Sequence, residues 1–390
     1  MDMKKKILVL GGTGYLGQHL LVRFSEEIKH QQQKYELAFT HYSTPPQSLL
    51  NEISPSIAFH VDLQTGQGLD SIATTFGQPD VIVNCAALSV PRVCETDPTA
   101  AMAINVPSSV VKWLSNFGDS VLLIHLSTDQ GCCNSCKLSK CVKLESNKVA
   151  DVTLCLKLHA NQSNPMPAYL VFNYGMDSKK VAIHTFLGGV KSCRPAFVSV
   201  YEGAKSFYKE EDEAFPVNVY GKSKVAAEQF ISANCSNYAI LRSSIIYGPQ
   251  TISPIVKSLP IQWIDSVLLK GAEVEFFHDE FRCPVFVKDV VDVILTLSKK
   301  WISDKEQMKL LLNVGGPDRL SRLQMAEAVA TVKGYDTSLL KPVSASSVNR
   351  GVNSPADISM DISKLSQTLG IKPTPYLDGV RLTLDATAHS

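Results

Sequence analysis

The sequence predicts an α/β fold: a doubly wound parallel sheet with a smaller C-terminal α/β part and an irregular insertion. Three observations carry this. At the N-terminus an apolar run, a glycine turn and an amphipathic stretch follow one another. Strand-like runs then alternate with helical ones up to residue 130, most of them apolar throughout, as strands covered on both faces are. The same grammar breaks off at residue 131 and resumes at Val200.

In chain order, Lys6 to Leu10 reads as the first strand, and Gln18 to His30 as a helix with Leu20, Leu21, Phe24 and Ile28 at helical spacing. Further strands are expected at Glu36 to Thr40, Ser56 to Val61, Val81 to Asn84 and Val121 to Leu126. A helix is expected over Pro98 to Phe117, with Met102, Val106, Val110 and Trp113 on one face. After the break, Pro216 opens a helix through Ile231, and Tyr238 to Leu241 forms a strand. Beyond Gly248-Pro249 follow a helix near Ile264, a strand at Val274 to Phe277, a helix after Asp289, a strand at Leu311 to Val314 and a helix at Leu323 to Val332. Residues 1–130 and 200–250 are therefore assigned to a nucleotide-binding domain and 251–390 mainly to a substrate-binding part, which is also expected to lend the sheet its final strands. Residues 131–199 form the insertion and are expected to be disordered.

Of the 390 residues, 45% are hydrophobic and 19% charged, enough for a sizeable core. Lysine and arginine number 38 against 37 acidic residues, so no excess charge is available to neutralise nucleic-acid phosphates. No apolar run reaches the ~20 residues that span a bilayer, so no membrane is expected as a partner. Only Ile7 to Leu10 separate the opening lysines from Gly11, short of the roughly 7 to 15 apolar residues of a secretory signal, and a cytoplasmic chain is expected. Ten cysteines are out of place in that compartment.

Gly11-x-x-Gly14-x-x-Gly17 between a strand and a helix lets backbone pass close to a pyrophosphate at the helix N-terminus. Gly11, Thr13, Gly14, Tyr15, Leu16 and Gly17 are the candidate residues of that turn. The second strand ends in Thr40-His41-Tyr42-Ser43, without the carboxylate that would hold a ribose 2′-hydroxyl. His41 and Ser43 are accordingly taken as cofactor contacts, and NADP(H) is favoured, with NAD(H) as the second choice. Ser127-Thr128-Asp129 closes the fifth strand, and Tyr220-x-x-x-Lys224 puts a phenol and an ammonium on one face of a helix. A nearby ammonium would favour the ionised phenol, suiting Tyr220 to proton exchange with a substrate, while the Thr128 hydroxyl holds the substrate oxygen.

Taken together, these features resemble the extended short-chain dehydrogenase/reductases, a Rossmann-fold superfamily, and most closely the dTDP-4-dehydrorhamnose reductase family. The carrying segments are Gly11-Gly12-Thr13-Gly14-Tyr15-Leu16-Gly17, Asp62-Leu63, Asn84-Cys85-Ala86-Ala87, Asn105, His125-Leu126-Ser127-Thr128-Asp129, Val219-Tyr220-Gly221-Lys222-Ser223-Lys224 and Leu241-Arg242 with Tyr247-Gly248-Pro249. The resemblance implies that Tyr220 is the proton donor, that Lys224 orients the nicotinamide ribose and lowers the Tyr220 pKa, and that Thr128 binds the substrate carbonyl. It implies cofactor contacts from Thr13 to Leu16, from Asp62 and Leu63 at the adenine, and from Cys85, Ala86 and Ala87, with Tyr220 and Lys224 also touching the cofactor. Ser89 and Arg282 are the candidate substrate contacts, Arg282 facing a phosphate. For Asp289, helix capping is the better reading. The implied substrate is a small molecule, a nucleotide-linked 4-keto sugar. The same family includes the regulatory β subunit of methionine adenosyltransferase, which binds NADP, so the catalytic subunit of that synthetase is an alternative partner. Gln130 stands where bacterial reductases carry an aromatic residue.

Residues 131–199 hold six of the ten cysteines and carry nine basic against three acidic side chains. Cys132, Cys133, Cys136 and Cys141 suggest a zinc knuckle, with Cys155, Cys193, His159 and His184 as further ligands, but no matching second short pair exists and no metal is assigned. Removing the segment joins Asp129-Gln130 to Val200-Tyr201-Glu202-Gly203 and restores an uninterrupted family stretch. We read it as translated non-coding sequence, such as a retained intron that keeps frame. Sequencing transcripts across the junction checks this: transcripts lacking the segment are expected, and their complete absence would refute it. A chain without 131–199 is expected to turn over substrate faster than the full chain, because about 1 Å of misplacement near Thr128 costs on the order of a hundredfold in rate. Equal rates would sink that expectation.

Overall fold

The computed structural model describes residues 4–30, 35–129, 203–213, 216, 218–255, 259–348 and 354–385, with the backbone of three strands at 140–143, 153–156 and 172–173. The chain divides into two compact units, Met1–Cys132 with Val198–Ser390, and Cys133–Phe197.

The first unit is built on a seven-stranded sheet whose pairings are all parallel. Its strands are β1 (Lys5–Leu10), β2 (Tyr35–His41), β3 (Ile57–His60), β4 (Val81–Asn84), β5 (Leu122–Thr128), β6 (Tyr238–Ser243) and β7 (Lys309–Val314), in the order β7-β6-β5-β4-β1-β2-β3. β1 shows why the sheet is covered twice. Ile7 and Val9 pack on one face with Leu20, Leu21 and Phe24 of α1 (Tyr15–His30), while Leu8 and Leu10 pack on the other with Ile72, Trp113 and Ile231. The doubly wound architecture is therefore present as the sequence predicts.

The helix expected over Pro98 to Phe117 is broken. It forms as α2 (Pro98–Asn105) and α3 (Ser108–Leu114), followed by a 3₁₀ turn at Ser115–Ser120. Pro107 explains the break: it has no N–H to donate, and it holds Val106 extended at φ −84° and ψ 109°. Met102 is consequently exposed, while Val110 and Trp113 stay buried. The helix expected from Pro216 starts later, as α4 (Val219–Asn234), capped by the Asn218 side chain on Gly221 N–H.

Residues beyond 250 serve both parts. α5 (Val287–Asp304) packs against α1 and β7 completes the main sheet at its edge. A separate core gathers Tyr247, Ile261, Ile264, Phe276, Met325 and Val380 around the helices Pro260–Leu268, Arg322–Lys333 and Tyr376–Asp385. The last of these, and Ser363–Leu369, have no counterpart in the sequence reading. The second unit, described by itself, contains three short antiparallel strands, Lys140–Lys143, Thr153–Leu156 and Phe172–Asn173. Its cysteine and histidine side chains, and Gln130, lie outside the described residues. Among the described residues no helix is long and apolar enough to cross a membrane.

Beneath the carboxyl ends of the strands lies a buried ion pair. Arg242, on β6, donates through Nε and one terminal nitrogen to Glu228 of α4, at 3.2 and 2.8 Å, and both side chains are buried. Ser127 of β5 donates to the same carboxylate at 2.5 Å. Removing one member of a buried pair strands the other's charge. Arg242→Ala is expected to cost about 3–5 kcal/mol of unfolding free energy, measured by urea titration.

Candidate active site

The glycine turn is held by β2. Gly11 N–H donates to Thr40 Oγ1 at 3.1 Å and Gly12 N–H to the Thr40 carbonyl at 3.0 Å. Gly11 has φ +77°, and a Cβ there would meet Ala86 backbone at 3.0 Å. At Gly17 a Cβ would press on the Gly11 carbonyl and come within 2.8 Å of Gly12 Cα, so α1 can enter close to the turn only without a side chain. Gly14 is different: beyond the Gly11 carbonyl at 3.3 Å nothing lies within 4 Å of its Cβ position.

Gly14, Tyr15 and Leu16 open onto a cavity of about 480 Å³. Cys85, Ala87 and Ser89 after β4 line it, as do Leu126 to Asp129 at the end of β5 and Tyr220 and Lys224 on α4. Ser243 to Ile246, Ile255, Leu259 and Pro260 complete the wall. Ala86 turns instead against Gly11, with its N–H on Asn84 Oδ1 at 3.1 Å.

Tyr220, Lys224 and Thr128 come together as the sequence predicts. The Tyr220 and Thr128 hydroxyls are hydrogen-bonded to each other, and Thr128 Oγ1 lies 3.4 Å from Asp129 Oδ1. Lys224 Nζ donates to the Leu126 carbonyl at 2.7 Å. The electrostatics depart from the expectation, however. Burial pushes the Tyr220 phenol above its ordinary range, and Asp129 and Cys94 add to this while the Thr128 hydrogen bond opposes it. Burial pushes Lys224 down to about 8, against the pull of Cys85, Glu228 and Cys94. Desolvation thus sets the phenol, which is lowered by the Thr128 hydrogen bond and not, as expected, by the ammonium, whose hydrogen is turned to a carbonyl. Burial also pushes the Cys85 thiol up to about 12 and raises Asp129, which Arg282 and Arg322 partly counter.

A second tier of polar contacts fixes this geometry. Asn105 accepts from Leu88 N–H at 2.8 Å and donates to the Leu88 carbonyl at 3.1 Å and to Ser223 Oγ at 2.8 Å. Ser223 donates in turn to the Tyr220 carbonyl at 2.7 Å. Asn84 Nδ2 donates to His125 Nδ1 at 3.2 Å, and burial holds that imidazole neutral by lowering its pKa well below the ordinary value.

Other candidates lie away from the cavity wall. Thr13 uses its carbonyl to accept from Gln18 Nε2 at 3.0 Å. Asp62 Oδ1 accepts from Gln64 N–H at 2.8 Å, a local turn, and the Leu63 carbonyl accepts from Ser109. His41 and Ser43 sit together at the end of β2, the His41 Nδ1 and Ser43 carbonyl 3.0 Å apart. Arg282 is fully buried, paired with Glu280 at 3.2 Å and donating to Ser354 Oγ and the Pro355 carbonyl, each at 3.0 Å. Asp289 does not cap its helix, whose N-cap is Phe286. Its carboxylate instead accepts from Thr374 N–H at 2.8 Å and Oγ1 at 2.9 Å, tying α5 to the C-terminal segment. Sequence reasoning missed Ser243 to Ile246, Ile255, Leu259 and Pro260. The signal for the first stretch was positional: it continues β6, and ligands of open α/β sheets sit outside the carboxyl ends of strands.

With this geometry, the comparisons with known proteins agree. The NAD dependent epimerase/dehydratase family matches residues 7–132, and the RmlD substrate binding domain matches 196–389. Methionine adenosyltransferase 2 subunit beta of Pongo abelii is 25% identical over 383 residues, spanning 97% of this chain and 87% of that protein. A dTDP-4-dehydrorhamnose reductase of Sinorhizobium fredii is 24% identical over 225 residues, 56% of this chain and 73% of that protein. Among solved structures, a Bacillus anthracis dTDP-4-dehydrorhamnose reductase in complex with NADP superposes with a TM-score of 0.65 at 16% identity, over 98% of this chain and 100% of that one. UDP-glucose 4-epimerase of Thermotoga maritima with UDP-glucose gives 0.66 at 17% identity, over 98% and 99%.

The fold is that of the extended short-chain dehydrogenase/reductases, with a Rossmann core. Residues 196–389 of the chain match the RmlD substrate binding domain, and the relatives it resembles are dTDP-4-dehydrorhamnose reductases and methionine adenosyltransferase 2 β subunits. The two matched stretches end at residue 132 and begin again at 196, within four residues of the borders of the segment read as an insertion.

Lys224 yields a stability prediction. Its folded pKa of about 8 lies below the ordinary lysine value, so above pH 8 the native state releases a proton that the unfolded chain keeps. Its contribution therefore rises with pH between about 8 and 10.5, by up to ~3 kcal/mol. Lys224→Met is expected to flatten that rise relative to the unchanged chain in urea titrations at several pH values.

Proposed function

We propose that this chain is an NADP(H)-dependent reductase, with NAD(H) as the second choice, acting on the ketone of a nucleotide-linked 4-keto sugar such as dTDP-4-dehydrorhamnose. The observation that carries the proposal is the convergence of Thr128, Tyr220 and Lys224 on one cavity with the glycine turn at its other wall. Its volume of about 480 Å³ falls within the range of small-molecule sites.

The residues fit a dinucleotide. Gly14 leaves open space in front of the α1 N-terminus, where a pyrophosphate is favoured by the helix dipole. Cys85 and Ala87 offer small, apolar surface along the wall between that turn and Lys224. When bound, the nicotinamide supplies the hydride. The chain's own residues do the rest. A phenol above its ordinary range keeps its proton at neutral pH, so Tyr220 enters the reaction as the acid that gives a proton to the carbonyl oxygen. Thr128, hydrogen-bonded to Tyr220, holds that same oxygen. Lys224, anchored on the Leu126 carbonyl, presents its ammonium to a ribose hydroxyl and supports the phenolate left behind. Ser89, at the rim, is the polar contact for the sugar. Arg282 reaches the site through Asp129, whose charge it favours, and holds no phosphate itself while paired to Glu280. The insertion, which begins two residues past Asp129, is expected to lower the rate of this form.

One observation favours a second reading. Four mammalian β subunits of methionine adenosyltransferase match 97% of the chain, the reductase of S. fredii 56%. On this reading the chain is a non-catalytic, NADP-binding partner of a methionine adenosyltransferase catalytic subunit. NADPH oxidation with dTDP-4-dehydrorhamnose, set beside a pull-down with that catalytic subunit, separates the two. Under the reductase reading Tyr220→Phe lowers turnover by about 10²–10⁴ while NADPH still binds. Association with the synthetase, together with no oxidation by a chain lacking 131–199, would replace it with the second.

A further inference from the structure

We infer that His41, paired with His60 across the ends of β2 and β3, is a protonation-dependent receptor for the 2′-phosphate of an adenine dinucleotide, so that preference for NADP(H) over NAD(H) grows as pH falls. The inference rests on the dinucleotide reading above and adds to it a dependence on pH.

In a doubly wound sheet the adenosine ribose lies beyond the second strand, roughly 20 residues past the glycine turn. A carboxylate there selects a free 2′-hydroxyl and an arginine a 2′-phosphate. Residues 40–46 of this chain contain neither, nor any lysine. What they hold is His41, in register with His60 of β3, the two rings meeting edge to face with centroids 5.7 Å apart. The Tyr42 ring, 73% exposed, stacks on His60 at 6.0 Å. The titratable groups grouped with His41 are thus His60 and Tyr42. Asp62, two residues past β3, has Oδ1 engaged by Gln64 N–H.

The hydrogen bonding fixes the tautomer. A carbonyl oxygen only accepts, so the Ser43 carbonyl 3.0 Å from His41 Nδ1 requires a hydrogen on that nitrogen. Nε2 is left with a lone pair when the ring is neutral, which repels a phosphate oxygen. Protonated, the same atom donates a charge-assisted bond. Burial and the neighbouring His60 hold His41 below the ordinary histidine value, so near neutral pH the ring is mostly uncharged. An arriving phosphate dianion raises its proton affinity, and binding takes up a proton. Affinity for a 2′-phosphate therefore falls as pH rises through the bound-state pKa, and the phosphate's own ionisation near ~6 limits the gain on the acid side.

Calorimetric titration of the full chain with NADPH, NADH, 2′-AMP and 5′-AMP at about pH 6.5 and 8.5 tests this. NADPH and 2′-AMP are expected to weaken roughly tenfold at the higher pH, NADH and 5′-AMP less than about twofold. In His41→Gln the NADPH-to-NADH affinity ratio is expected to stay the same at both pH values. Equal pH slopes for NADPH and NADH, or a slope that survives in His41→Gln, would overturn the inference and leave the dinucleotide reading standing. Failure of both dinucleotides to bind the unsubstituted chain would overturn both. Should His41→Gln fail to fold, the contrast between 2′-AMP and 5′-AMP on the unsubstituted chain decides alone.

Discussion

The buried Arg242–Glu228 pair is the constraint on which the site depends. Two charges taken out of water cost several kcal/mol each, and their attraction offsets this only when the remaining donors and acceptors are also met. Here they are drawn from three elements. Glu228 on α4 accepts from Arg242 of β6 and from Ser127 of β5, and Arg242 also reaches the Glu210 carbonyl. The geometry that satisfies the charges is therefore the geometry that fixes α4 against both strands. Lys224 stands one turn before Glu228 and Tyr220 one turn before that, while Thr128 directly follows Ser127. Three groups from distant sequence positions are held in common register by a contact that itself performs no chemistry.

Above that pair a neutral polar tier performs a different task. Asn105 clamps both backbone groups of Leu88 and crosses to Ser223, so the loop after β4 is referenced to the same helix that carries Tyr220 and Lys224. His125 is kept uncharged by burial and spends its Nδ1 on Asn84, whose oxygen orders the Ala86 N–H. The division is physical: charges fix the elements that must not move, and amides fix the loop that forms the cavity wall. The cost of burying these groups surfaces at Lys224 and Tyr220, whose proton affinities are set by desolvation more than by each other.

What the sequence disclosed follows from how local each signal is. Strands buried on both faces are apolar throughout, so Ile7 to Leu10 and Val81 to Asn84 were legible directly. So was the turn, because Gly11 and Gly17 are required by backbone contacts within a few residues or with one loop. The helix over Pro98 to Phe117 was misread because its apolar spacing runs on through Pro107, which hydrophobic periodicity ignores and hydrogen bonding does not. Asp289 looked like a cap because its partner, Thr374, is 85 residues away. Ser243 to Ile246 and Leu259 were invisible for another reason. They line the cavity through position at strand ends and through shape, not through side chains whose chemistry announces itself.

The junction at the insertion shows why such a segment need not prevent folding. On its N-terminal side Asp129 N–H still pairs with the Ser243 carbonyl, extending the ladder of β5 on β6. On its C-terminal side the chain is caught again at once: the N–H groups of Gly203 and Ala204 lie 3.0 and 2.9 Å from the buried Tyr208 hydroxyl. Tyr208 N–H donates to the Ser359 carbonyl, and its own carbonyl accepts from Asp361 N–H. Both ends are thus held by contacts that do not involve the residues between them. As a loop, a longer connection costs about 0.6 kcal/mol per doubling of its length. If the chain is the reductase proposed above, rate has no such tolerance, because Thr128 adjoins the last described residue before the junction and its hydroxyl would have to meet both Tyr220 and a carbonyl oxygen. Under the reductase reading the same insertion is therefore expected to weigh lightly on the fold and heavily on the chemistry.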